Sequence, residues 1–252
     1  MSKKLLITDF DGVICDSVEE CLLVTYNAYH RLHDASFQRL LDLQQIAPET
    51  RQTFRRLRPF LKGAEDFVPI FRSIEQRIPL VTQREFDAFR DEMRDQLSEF
   101  VTLFYAERDF LIRNEHRIWL SLNPLYGDFA AILRAKNTFE RVHILTTKRQ
   151  EDVLEIFGYQ RVAFPPKQVS YIKAAGKSAR LLELLREYDA NPAETLYFED
   201  QVDFLVAAKQ HGIQTYLVEW GYVSDEQREV ARQHNIPIIA MPQFTAFLNE
   251  VR

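Results

Sequence analysis

Two rhythms of apolar and polar positions alternate along the chain. Leu5-Leu6-Ile7-Thr8 is a short unbroken apolar run, the pattern of a strand buried on both faces. From Val18 the apolar positions fall three or four apart, at Val18, Cys21, Leu22, Thr25, Tyr26 and Tyr29, which predicts a helix entered through Asp16-Ser17, a pair able to cap it. No convincing strand follows until about Asn123. Segments 37–46, 49–57, 65–76 and 83–113 show helical spacing or strong helix formers, punctuated by Pro48, Pro59, Pro69, Pro79 and Pro124.

The rhythm then changes. Predicted strands at 142–146, 169–172, 195–199 and 214–219, with a short apolar run at 236–240, are separated by predicted helices at 128–136, 150–157, 178–188, 202–211 and 225–234, and a last helix begins at Gln243. Gly158 and Gly212 are placed to stop two of them. Strands spaced by helices of this length specify an α/β, doubly wound parallel sheet whose site lies at the carboxyl ends of the strands. The first strand belongs to that sheet, so the organisation expected is a core of residues 1–17 and 124–252 with an all-helical domain, 18–123, inserted into it.

Chemistry is concentrated where the strands end. Asp9 and Asp11 follow the first run two positions apart, and Gly12 lets the backbone leave the sheet. Two carboxylates on one rim attract a divalent cation; hard oxygen donors with room for water suit Mg²⁺, and one carboxylate can attack an electrophile while the other moves protons. Thr146 closes another buried strand, and its hydroxyl, or that of Thr147 if the strand boundary shifts by one, can donate to a phosphate oxygen. Lys177 stands ahead of an amphipathic helix as a cation for a carboxylate and a bound phosphate, with Lys173 and Lys167 as alternates. Gly176-Lys177-Ser178 looks like the end of a P-loop but has Tyr171 where that loop needs glycine. The strand 195–199 ends in Glu199-Asp200, with Asp203 close behind.

At these residues the sequence resembles the haloacid dehalogenase superfamily, in its phosphatase branch with a helical cap between the first and second motifs, as in phosphoglycolate phosphatases and β-phosphoglucomutases. Asp9-Phe10-Asp11-Gly12-Val13 with Asp16-Ser17 matches the first motif, Thr146-Thr147-Lys148 the second, Lys177 the third and Asp200 the fourth. The resemblance implies a Rossmann-like core with a helical cap that closes over substrate, Asp9 as the nucleophile that becomes an aspartyl phosphate, and Asp11 as general acid and base. It also implies Mg²⁺ held by Asp9, the main-chain carbonyl of Asp11 and Asp200. Two departures stand out. Ser178 replaces the usual proline after the lysine. Glu199 replaces the glycine of the fourth motif, with the second acid falling on Asp203 one place early, or on Glu199 itself. Within the insert, Arg51, Arg55, Arg56, Arg58 and Lys62 form a basic cluster, of which Arg58 is taken as the candidate for a substrate anion.

Composition narrows the rest. The chain has 252 residues and a net charge of -5, long enough for a sizeable core and without a basic field for nucleic acid. No apolar stretch approaches the length of a membrane span, and Met1-Ser2-Lys3-Lys4 leads straight into the first strand, so a cytoplasmic protein without membrane partners is expected. Cys15 and Cys21 are expected as reduced thiols, and the six histidines have no zinc spacing. The function expected is a phosphatase acting on a small phosphorylated metabolite. Its alternatives are a phosphomutase on the same core and a catalytically idle binding protein; oligomeric state is not legible.

Overall fold

The apolar runs become the six strands of one parallel sheet in a computed structural model that describes residues 4–136 and 138–251. Met1, Ser2 and Lys3, read above as the lead into the first strand, lie outside the described residues. The strands are β1 (Leu5–Thr8), β2 (Val142–Thr146), β3 (Val169–Tyr171), β4 (Thr195–Glu199), β5 (Gln214–Val218) and β6 (Ile238–Ile239), in the order β3-β2-β1-β4-β5-β6. The chain therefore lays strands outward from β1 in one direction, then returns to lay β4, β5 and β6 in the other. The reversal falls between β1 and β4, where Leu6 pairs with Leu196 and Thr8 with Phe198. Carboxyl ends of strands at such a reversal leave a crevice, which fixes where a site can form.

Period-two alternation sorts the side chains into two faces. Leu5, Ile7, Leu145, Tyr197 and Leu217 bury against Leu181, Leu184 and Leu205 of the helices Lys177–Glu187 and Val202–Lys209. On the other face Phe198 packs against Phe244 and Phe247 of the helix Met241–Glu250, with ring centroids 4.9 and 5.6 Å apart. Covered on both faces, β1 has no polar positions except at its end, which is why it reads as an unbroken apolar run.

The chain divides into two compact units, Met1–Asp16 with Leu125–Arg252, and Ser17–Pro124. In the second unit Phe67 and Phe104 stack at 4.5 Å. The guanidinium of Arg108 donates twice to the buried Glu20 carboxylate, at 2.8 Å each, joining the helices Val18–His33 and Leu97–Asn114. No helix among the described residues is long and apolar enough to cross a membrane. Cys15 and Cys21 are both buried and unbridged.

Four local expectations are corrected. Segment 37–46 forms no α-helix; only the 3-10 turn Leu43–Gln45 appears. Asn27 grips the main chain of Leu40 from both sides, its amide donating to the carbonyl and its oxygen accepting from the N–H, each at 2.9 Å. A tertiary bond of that kind outweighs a modest helix propensity. Segment 83–113 divides into the helices Gln83–Asp91, opened by a Thr82/Glu85 capping box, and Leu97–Asn114, separated by the 3-10 turn Arg94–Gln96. Gly158 does not stop its helix, which runs to Tyr159; the left-handed residue after it is Arg161, with φ of 57°, while Val162 N–H reaches back to the Phe157 carbonyl. Ser17 sits at the N-cap of the helix Val18–His33, yet its side chain makes no cap bond.

His143 of β2 carries a testable consequence. It is buried between the Tyr188 hydroxyl, 3.0 Å from Nδ1, and the Ser170 hydroxyl, 2.8 Å from Nε2. Burial, reinforced by Arg180 and opposed by Glu187, lowers its pKa from 6.5 to about 4. The folded protein thus refuses a proton that the unfolded chain accepts. The resulting stabilisation is complete above pH 6.5 and is lost as pH falls towards 4, by about 3 kcal/mol. Urea unfolding at pH 7 and pH 4.5 should show this loss in the wild type and a smaller one in His143→Gln; equal losses would place its origin elsewhere.

Candidate active site

Beyond Thr8 the chain leaves β1 through a tight turn. Cys15 and Ile14 N–H groups both return to the Phe10 carbonyl, and Gly12 N–H donates to Cys15 at 2.8 Å. Asp9 N–H still donates to the Phe198 carbonyl at 3.0 Å, prolonging the ladder by one residue. Asp9 therefore keeps the face of Leu5 and Ile7, the face covered by the helix that begins at Lys177. The Lys177 ammonium lies 3.0 Å from Asp9 Oδ2, and the Phe10 N–H donates to Asp9 Oδ1 at 2.8 Å.

The same alternation on β4 brings Tyr197 and Glu199 to that face. Glu199 Oε1 accepts from Lys177 at 2.6 Å and from the Tyr197 hydroxyl at 2.7 Å, wholly out of solvent. Burial and the neighbouring Asp9 charge push the Glu199 carboxyl above the usual carboxylate range, against the pull of Lys177. Burial alone would depress the lysine, but Asp9 and Glu199 outweigh it and hold the ammonium charged. Asp200 follows, and carboxylate oxygens of Asp9, Glu199 and Asp200 lie within 4.8 Å of one another. Glu199 Oε2 is buried with no hydrogen-bond partner. An orphaned carboxylate oxygen facing two further carboxylates fits a hard divalent cation.

Space for Asp200 is made by two glycines. A Cβ on Gly12, whose φ is 81°, would lie 1.9 Å from Asp200 Oδ2; one on Gly221 would lie 2.5 Å from the Gly12 carbonyl oxygen and 2.6 Å from Asp200 Cβ. The turn after β5 thus presses against the turn after β1. Its Tyr222 N–H donates to Asp200 Oδ2 at 3.1 Å, and the Trp220 indole donates to the Val13 carbonyl at 3.0 Å.

β1 ends at Thr8, so alternation no longer governs Asp11, and its carboxylate turns to the ammonium of Lys148 at 3.2 Å. Lys148 is 2% exposed. Thr146 is buried at the end of β2, and its oxygen accepts the Lys148 N–H at 3.1 Å, a bond that does not use the hydroxyl proton. Thr147 is half-buried beside it. The site thus pairs two buried lysines with two carboxylates, Lys177 with Asp9 and Lys148 with Asp11. Lys167 and Lys173 are exposed. Asp203 is exposed in the first turn of the helix Val202–Lys209, outside the group of three carboxylates. Arg58 is buried in the helical unit, donating to the Leu61 carbonyl at 3.3 Å and lying over the Phe67 ring.

Tyr197 and the Trp220-Gly221-Tyr222 turn were not singled out from the sequence, and Lys148 was read only as part of the second motif, without a role of its own. The turn had a signal: it follows the predicted strand 214–219, and loops at carboxyl ends of parallel strands line the crevice.

The model of the family described as haloacid dehalogenase-like hydrolase matches residues 3–212. No protein of curated description matches the sequence. Among solved structures, a haloacid dehalogenase-like family hydrolase from Streptococcus pneumoniae is 14% identical, with a TM-score of 0.61 over 97% of this chain and 98% of that one. A predicted phosphatase from Clostridium acetobutylicum is 14% identical, with a TM-score of 0.58 over 99% and 100% of the two chains. A predicted phosphoglycolate phosphatase from Haemophilus somnus is 18% identical, with a TM-score of 0.51 over 89% of each.

Proposed function

The chain belongs to the haloacid dehalogenase-like hydrolases, and on that footing we propose that it is a Mg²⁺-dependent phosphatase of a small phosphorylated metabolite, working through an aspartyl phosphate on Asp9. The observation that supports this reading most is the placement of Asp9. It stands at the sheet reversal with one oxygen against Lys177, in a group of three carboxylates, and beside a second acid on its own lysine.

In this mechanism Asp9 attacks phosphorus, a bond forms from its carboxylate oxygen, and the bond to the leaving oxygen breaks as Asp11 gives that oxygen a proton. Asp11 then takes a proton from water as the water oxygen attacks phosphorus, and the bond to Asp9 breaks to release inorganic phosphate. Thr146, Lys177 and Lys148, with Thr147 beside them, donate to the phosphoryl oxygens in this reading, so developing charge meets fixed donors. Asp9, Glu199, Asp200 and the Asp11 carbonyl would hold Mg²⁺, which neutralises phosphoryl charge when bound. The second acid of the fourth motif is then Glu199. Arg58 has donors beyond the one given to the Leu61 carbonyl and is the residue of the helical unit assigned to a substrate anion.

A panel of phosphorylated metabolites assayed with and without Mg²⁺ tests the reaction class; inertness toward every ester would favour the idle binding protein. Within that assay Asp200→Ala should lose on the order of 10³-fold in turnover, whereas Asp203→Ala should stay within about threefold of wild type. Comparable losses in the two would return Asp203 to the site.

A further inference from the structure

Tyr222 does two things at once. Its main-chain N–H holds Asp200 Oδ2 at 3.1 Å, and its phenol donates to Asp16 Oδ1 at 2.9 Å. Tyr126 is hydrogen-bonded to the same phenol. These partners are placed where they matter. Asp16 is the last residue of the core unit before the chain enters the helical unit, and Leu125 is the first after it returns. The two connections are laced together on the core side by the bridge between Cys15 and Leu125 and by the Tyr126 N–H donating to the Ile14 carbonyl at 2.9 Å.

The turn carrying Tyr222 has little freedom to move alone. Gly221 lies so close to the Gly12 carbonyl and to Asp200 that a methyl group would not fit, and Trp220 is bonded to Val13. A shift of the exit or return connection therefore shifts the phenol, and through one residue of backbone it shifts the N–H that orients Asp200.

We infer that Tyr222 is a positioning residue, fixing the Asp200 carboxylate for a divalent cation and tying its position to the two chain crossings into the helical unit. This rests on Asp200 being a metal ligand. Removing an outer partner of a metal-binding carboxylate typically weakens metal binding on the order of tenfold or more. The phenol acts through the turn and not directly, so the lower end of that range applies.

The test is calorimetric titration of the intact protein with Mg²⁺ alone, in parallel with urea unfolding in chelator. Tyr222→Phe keeps the ring and the N–H and removes only the hydroxyl; it should raise the dissociation constant on the order of tenfold. Asp16→Ala, which leaves the hydroxyl its bond to Tyr126, should produce a shift no larger than this, Asp16→Asn, which retains an acceptor, a smaller one still, and the double variant Tyr222→Phe/Asp16→Ala no more than Tyr222→Phe alone. A role in folding only would lower the unfolding midpoint and leave the Mg²⁺ constant unmoved, which would overturn the inference. Additive shifts in the double variant would overturn it too. A wild type that binds no Mg²⁺ would instead overturn the metal-site reading, and this inference with it.

Discussion

Asp9→Asn is expected to lose turnover by on the order of 10⁴-fold while remaining folded. An amide is a poor nucleophile, but it has the shape of the carboxylate, and its oxygen can still accept the Phe10 N–H that Asp9 accepts at 2.8 Å. The informative comparison is with Asp11→Asn. That variant retains the nucleophile, so with an ester whose leaving group needs no protonation it should phosphorylate Asp9 and then stall. Rapid-quench mass analysis of the peptide containing residue 9 should find the added phosphoryl group in Asp11→Asn and never in Asp9→Asn. Undiminished turnover in Asp9→Asn would end the covalent mechanism.

The largest effect on stability is expected at Lys177. The ammonium is 2% exposed and lies 2.6 Å from Glu199 and 3.0 Å from Asp9. Lys177→Met keeps the length and volume but leaves two buried carboxylates without their cation, a change that costs about 3–5 kcal/mol in comparable buried pairs. Adding Glu199→Gln should recover a substantial part, because the amide carries no charge and can still accept the Tyr197 hydroxyl. Chemical unfolding of the single and double variants checks this; a double variant no more stable than Lys177→Met would mean that the loss comes from packing.

Much of the fold is legible in the sequence. β1, β2 and β4 announce themselves because strands covered on both faces can hold almost nothing but apolar residues, and the carboxylates that follow stand out against them. What could not be read depended on partners far along the chain. Asn27 extends segment 37–46 by binding Leu40, and no local periodicity encodes that bond. Asp11 shares the spacing of a strand with Asp9, yet the strand ends first, and the partner that claims it, Lys148, lies on another strand's end. For the fourth motif, residue type left Asp203 and Glu199 both open as the second acid; backbone alternation on β4, which turns Glu199 inward beside Tyr197, is what distinguishes them. Tyr222 contributes through its main-chain N–H, a donor that every residue except proline possesses.

The place of β1 in the sheet bears on how the protein is made. Leu5, Leu6 and Ile7 are all wholly out of solvent, but the strands on either side of β1 begin at Val142 and Thr195. On the ribosome this apolar run precedes both of its neighbours and has no strand to lie beside until the entire helical unit and more have been translated. The helical unit, compact in its own right between Ser17 and Pro124, can consolidate in the meantime. Completion of the core is then a late closure across a very long loop, a non-local pairing of the kind that slows folding and leaves an apolar segment exposed in the meantime.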